Sequence, residues 1–224
     1  MHALLPLAAL VLSAGLFVPV AFAASPPPAA AAATPEATAV VAALKSTYKS
    51  TSSVRAEFTQ VVRNTAMGTE DRQKGRISFE QPKKIRVEMG APTTAVFISD
   101  GHTFWSYSVK DKQAFEAPEL GGGSVGLSLE DLSRIDELFD VAVLPEKPGA
   151  VTHTLRLSPK QAGAFKALEL TVTKQKYVLQ SLLLVDQMDN ETSLSFTAVR
   201  LGEDIPDKEF AFVAPPGVQV IKAN

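Results

Sequence analysis

Thr94-Ala95-Val96-Phe97-Ile98-Ser99-Asp100-Gly101-His102-Thr103-Phe104-Trp105-Ser106-Tyr107 is the stretch whose reading decides the fold. Two β-prone runs flank Asp100-Gly101, and Asp-Gly is a strong hairpin signal because glycine enters the positive-φ region without steric cost. After the turn, Thr103, Trp105 and Tyr107 share one face of the second strand, since strand side chains alternate with period two. The single tryptophan of the chain is thereby assigned to one sheet surface. An isolated hairpin is barely stable in water, so this one predicts a larger sheet with an apolar face.

Toward the N-terminus the alternation continues. Ile85, Val87 and Met89 alternate with Lys84, Arg86 and Glu88, and Ile77 and Phe79 share a face in Gly75–Phe79. Gln81-Pro82 between them is an edge or turn, because proline has no N–H for a ladder. Val54, Ala56, Phe58 and Val62 alternate with Arg55, Glu57, Thr59 and Arg63 as a further half-buried strand. Before it, Thr34-Pro35-Glu36 has a capping hydroxyl, a proline for the first helical position and an acid for the first turn. Val40, Val41, Leu44 and Tyr48 make an apolar stripe behind that cap, which predicts a helix over about residues 35–50 that packs on the sheet.

Toward the C-terminus, Asp111-Lys112 turns the chain, and Leu120 to Gly126 contains four glycines. No Gly-Lys-Ser/Thr follows them, so a flexible hinge is the better reading than a phosphate cradle. Ser128 is placed to cap a short amphipathic helix whose stripe is Leu129, Leu132, Ile135, Leu138 and Phe139. Strands follow at 141–144, 152–157, 167–173, 178–185, 192–201 and 210–213. Without a helix between them, neighbours should pair antiparallel. The count is about eleven strands at short spacing, the pattern of a barrel or a strongly curved sheet.

The ends read differently. Residues 1–23 are largely apolar and finish in Ala21-Phe22-Ala23, the small-x-small pattern of a cleaved secretory signal. Residues 24–34 form a Pro/Ala-rich tether, and 35–224 are the folded domain. The expected location is the periplasm, with the signal removed.

Composition excludes several functions. A net charge of −2 over 224 residues gives no case for nucleic acid, and the absence of cysteine removes disulfides, thiolate metal sites and thiol nucleophiles. His102 and His153 have no Gly-x-Ser-x-Gly partner motif, and no His-pair spacing marks a metal site. The expectation is therefore a protein without catalytic, cofactor-binding or metal-binding residues, with a hydrolase built on His102 or His153 as the competing enzyme reading. Yet 46% of the chain is hydrophobic. A curved sheet whose hollow is lined by Phe58, Phe79, Ile85, Val87, Met89, Trp105 and Phe196 is suited to an aliphatic guest. Leu129, Leu132 and Ile135 of the short helix are expected to fill that hollow when no guest is present.

Several of these residues resemble one known family. Ile98-Ser99-Asp100-Gly101 with Thr103-Phe104-Trp105-Ser106-Tyr107 is similar to the hairpin of the outer-membrane lipoprotein carriers, the LolA family. Phe58-Thr59-Gln60, Gly75 through Phe79 with Pro82, and Phe210-Ala211-Phe212 with Pro215-Pro216-Gly217-Val218 match it too. The resemblance implies an unclosed antiparallel β-barrel, mainly β with α, and helices lidding an apolar cavity. It implies a monomeric periplasmic carrier that accepts acylated lipoproteins from an inner-membrane lipoprotein-releasing ABC transporter and passes them to an outer-membrane receptor. Many relatives have arginine before the third-strand proline, latching the lid; Gln81 stands there in this chain. A regulator of envelope stress built on the same half-barrel is the alternative within the fold.

Overall fold

In the computed structural model, residues 34–118, 129–161 and 165–222 are described. The signal stretch 1–23, the tether up to residue 33, the glycine hinge and the Ser128 cap lie outside them. The chain begins with helix α1, Pro35–Lys49, capped where the Thr34 hydroxyl accepts from the Ala37 amide at 3.2 Å. Six strands follow: β1 (Ser53–Asn64), β2 (Thr69–Glu80), β3 (Lys84–Met89), β4 (Ala95–Asp100), β5 (Phe104–Ser108) and β6 (Gln113–Ala117). Helices α2 (Leu129–Ser133) and α3 (Ile135–Leu138) lead to β7 (Phe139–Val143), β8 (Thr152–Pro159), β9 (Phe165–Thr173), β10 (Leu179–Asp186) and β11 (Glu191–Leu201). A 3-10 turn, Asp207–Phe210, precedes the final strand β12 (Gln219–Lys222).

All twelve described strands belong to one unclosed sheet, in the order β12-β6-β5-β4-β3-β2-β1-β11-β10-β9-β8-β7. It consists of two antiparallel meanders, β1–β6 and β7–β11, joined where β1 pairs with β11. At the deciding hairpin, Gly101 takes φ +97 and the Asp100 carboxylate accepts from the His102 and Thr103 amides at 2.8 Å each. Those amides, Thr103 first, hold the Asp100 carboxyl below its ordinary pKa.

Three expectations are corrected. Twelve strands among the described residues agree with the expected count of about eleven, but β12 lies parallel to β6, against the expected antiparallel rule. Parallel pairing needs a long crossover, and the segment after β11 supplies it by running over the sheet. Residues 210–213 form no strand: Phe210 ends the 3-10 turn, and its ring is buried. The expected single helix after the glycine hinge is broken at Arg134 into two short helices.

The helices lie on one face of the sheet, the inner face. There Val40, Val41, Leu44 and Tyr48 of α1 join Leu132 and Ile135 against Leu155, Leu157, Leu168, Leu170 and Leu182. Tyr48 is anchored by the Leu179 amide, which donates to its hydroxyl at 2.8 Å; burial raises the phenol pKa despite that bond. The outer face has its own small core, in which Ile98, Ala114, Ile205 and Phe210 are buried.

Candidate functional site

The site is the apolar inner face, and strand register builds it. Cross-strand partners put Phe58 beside Phe196, Phe79 beside Ile85, Ile77 beside Val87, and Val87 beside Phe97. Because alternate residues share a face, each of these pairs points inward with the others. Phe58, Ile85 and Val87 form a buried cluster with Ile77, Phe79, Met89, Phe97, Leu194 and Phe196 packed around it. The helix-covered core is its neighbour. Phe79, Leu194 and Phe196 pack against both clusters, so one apolar floor runs across the seam between the two meanders.

Room on this floor is shaped by Gly75. It stands opposite Phe58 in the β1–β2 register, and a Cβ there would come within 2.4 Å of Cζ of Phe58. The phenyl ring thus lies over the glycine, closer to the backbone of β2 than any side chain would allow.

The structure brings together Phe58, Phe79, Ile85, Val87, Met89 and Phe196 of the expected lining. Trp105 is a correction. In the β3–β4–β5 register Trp105 aligns with Ile98 and Arg86, whereas Phe104 aligns with Ser99 and Ile85. Trp105 therefore faces outward, where its ring and that of Tyr107 pack on Phe212 at 5.0 and 5.5 Å. Phe104 takes the inward position and stacks on Phe97 with a centroid distance of 6.5 Å. Of the expected cover residues, Leu132 and Ile135 are buried in the inner core, while the side chain of Leu129 lies outside the described residues. Gln81 does not reach these helices: its amide donates to the Thr51 carbonyl at 3.1 Å, in the link between α1 and β1.

Sequence reasoning missed Phe97, Leu194 and Phe104 as lining residues. The signal was available in the alternation, since Phe97 is in step with Ser99 and Leu194 with Phe196, but the pattern does not say which face is inward.

The cover is tied by polar contacts at its rim. The Lys45 ammonium donates to both oxygens of Asp136 at 2.7 and 2.9 Å, joining α1 to α3, and holds the Asp136 carboxyl below its ordinary pKa. Lys160 donates to the Asp136 carbonyl at 2.6 Å, joining α3 to the end of β8. A polar-rimmed pocket of about 840 Å³ lies beside these ties, between α1, α3 and β7.

His102 is exposed in the hairpin loop, and His153 pairs with Glu146 at 2.6 Å while stacking on Tyr177. Among the described residues, Glu36, Glu146 and His153 are the group with metal-ligand chemistry, their ligand atoms within 4.8 Å of one another. The Lys174 ammonium takes the second oxygen of Glu146, and together with His153 it lowers the pKa of that carboxyl. Glu146 is thus engaged on both oxygens, by His153 and by Lys174. No helix among the described residues is long and apolar enough to cross a membrane.

Comparison with known proteins agrees with this geometry. Residues 49–213 match the family described as "Outer membrane lipoprotein carrier protein LolA". A protein named outer-membrane lipoprotein carrier protein from Hahella chejuensis is 30% identical over 187 residues, covering 81% of this chain and 88% of its own. One of the same name from Chromobacterium violaceum is 27% identical over 192 residues, covering 85% and 91%. The crystal structure of an uncharacterized conserved protein from Thermus thermophilus shares the fold, with a TM-score of 0.55 at 13% identity over 84% of this chain and 99% of that one. The family match spans most of the described sheet, from the end of α1 to just past the 3-10 turn, and the chain belongs to the outer membrane lipoprotein carrier protein LolA family.

Proposed function

We propose that the chain shields the acyl chains of lipoproteins on its inner face and carries them across the periplasm to the outer membrane. The observation that carries this reading is the apolar floor shared by two clusters, joined through Phe79, Leu194 and Phe196, with the helices covering one of the two. Each buried methylene is worth about 0.8 kcal/mol, so even one acyl chain exposed to water is costly, and a soluble carrier has to offset most of that. It must also let go. A cover whose rim is tied by exposed ion pairs such as Lys45–Asp136 suits release, because such pairs contribute only about 0.2–1 kcal/mol.

In this reading residues 1–23 direct export and are removed, residues 24–34 tether, and 35–224 are the carrier domain, acting as a monomer. Its donor is an inner-membrane lipoprotein-releasing ABC transporter and its acceptor an outer-membrane receptor. Phe58, Phe79, Ile85, Val87, Met89 and Phe196 hold the acyl chains, Leu132 and Ile135 fill the space between loads, and no bond is made or broken. Native mass spectrometry of protein isolated from the periplasm tests the proposal: bound acylated species are expected. Protein that stays free of acyl species while lipoproteins reach the outer membrane normally in a depleted strain would refute it.

A further inference from the structure

The face opposite the helices carries a groove of about 620 Å³ formed by β1, β2, β3, β11 and the 3-10 turn. Arg55, Arg76, Arg86, Arg200 and Lys208 line it against Glu57, Glu88 and Glu209. Positive charge is in excess there, in a chain whose net charge is −2.

The sheet accepts an unfavourable arrangement to achieve this. Arg200 stands directly opposite Arg55 across the β11–β1 pair, and the row continues through Ser78 to Arg86. Like charges opposed across strands destabilise a sheet. Their opposition depends on a bulge, because Ala198 and Val199 together face the single residue Ala56, with Ala198 at φ +50. In unbroken register Val199 would oppose Arg55, and Arg200 would turn toward the inner face. A β-carbon in the left-handed region is strained and persists where the surrounding structure demands it. The bulge brings Leu201 inward opposite Val54 and keeps a charge off the apolar floor. That accounts for its interior side but not for an arginine facing an arginine outside.

Resident acids balance part of the charge. Glu209 pairs with Arg55 at 2.7 Å, and Glu88 with Arg76 at 2.6 Å and Arg86 at 2.8 Å. Burial opposes ionisation of Glu88, yet the two guanidiniums prevail and its pKa falls below the ordinary value. The outer two cations are the more open to solvent, and Arg200 is the less closely paired of them. Arg200 approaches Glu203 only at 3.6 Å, and the side chains of Arg76 and Arg200 are 71% and 60% exposed. Each guanidinium offers a fork of five N–H donors shaped for carboxylates.

We propose that this groove binds an acidic segment of a partner protein, with carboxylates spaced along an extended chain to reach Arg76, Arg200 and Lys208. The interspersed Glu57, Glu88 and Glu209 favour such a partner over an anionic bilayer. They repel a uniformly negative plane, whereas separate carboxylates can pass between them. The site is independent of what the inner face holds.

Fluorescence anisotropy with a labelled peptide of alternating Glu and Ser tests it, in parallel with sedimentation on phosphatidylglycerol vesicles. Salt-sensitive binding of the Glu peptide is expected, weakened about tenfold or more by Arg76→Glu with Arg200→Glu. A Lys-for-Glu control peptide should not bind. Should the reversed variant not fold, Arg76→Gln with Arg200→Gln reads the same contacts. Absence of peptide binding at low salt, binding that these substitutions leave unchanged, or capture of the vesicles alone would each overturn the proposal.

Discussion

A methyl group at Gly75 would sit 2.4 Å from Cζ of Phe58 and 2.4 Å from the carbonyl oxygen of Glu88, so neither side can yield cheaply. Gly75→Ala is expected to lower stability by about 1–3 kcal/mol, the usual range for an overpacked interior, and urea unfolding measures it. An unchanged midpoint would mean that the Phe58 ring can leave the glycine freely. A second contrast separates core from guest surface. Leu170 is fully buried, and its truncation to alanine should cost about 2–5 kcal/mol. Met89 is only half-buried beside Val87. Met89→Ala should be milder in urea yet shorten the retention of a bound acyl chain in native mass spectrometry. Equal retention would place Met89 outside the guest surface. Much at this scale was legible in the sequence, because alternation names the residues that share a face. Trp105 shows the limit: its companions Thr103 and Tyr107 could be read, but not that their face meets Phe212 on the outside.

At the scale of elements, the cover is the part most open to intervention. Asp136 ties α3 to α1 through Lys45, with its carboxyl pKa depressed. A depressed carboxylate contributes stability above its unfolded pKa of about 4, and that contribution is lost as pH falls through the folded value. Acidification below about pH 4 should therefore speed hydrogen exchange in α1 and α3 before the sheet amides respond. The side chain of Asp136 is 47% exposed, so Lys45→Ala at neutral pH should do the same while barely moving the melting temperature. Simultaneous exchange of helices and sheet would show that they open as one unit. The α1 helix was readable to within a residue from its cap and stripe. The broken helix after the glycines and the C-terminal segment were not. Phe210 and Phe212 read as strand residues by alternation, whereas Phe210 is buried in the outer core and Phe212 packs on Trp105 and Tyr107. A contact distant in sequence thus overrode local propensity.

For the whole molecule, the carrier reading requires the cover to move relative to the sheet. Lys160, just beyond β8, meets the backbone of Asp136 on α3, and the chain has no cysteine to interfere with labelling. Asp136→Cys with Lys160→Cys, bridged by a short bis-maleimide, should block uptake of acyl chains while the unbridged double variant loads normally. Normal loading of the bridged protein would show that the opening lies elsewhere. Sequence spacing revealed the number of strands to within one and the antiparallel habit of each meander. The joint between the meanders was beyond it, since pairing between residues so far apart leaves no local trace. That joint has a consequence for biogenesis. A chain emerging N-terminus first completes Ser53–Asn64 long before its mate Glu191–Leu201 exists, and until then the β1 side facing β11 has no ladder partner. Such a bare border is a template for wrong partners, so the newborn protein needs an escort, or speed, until its final third arrives.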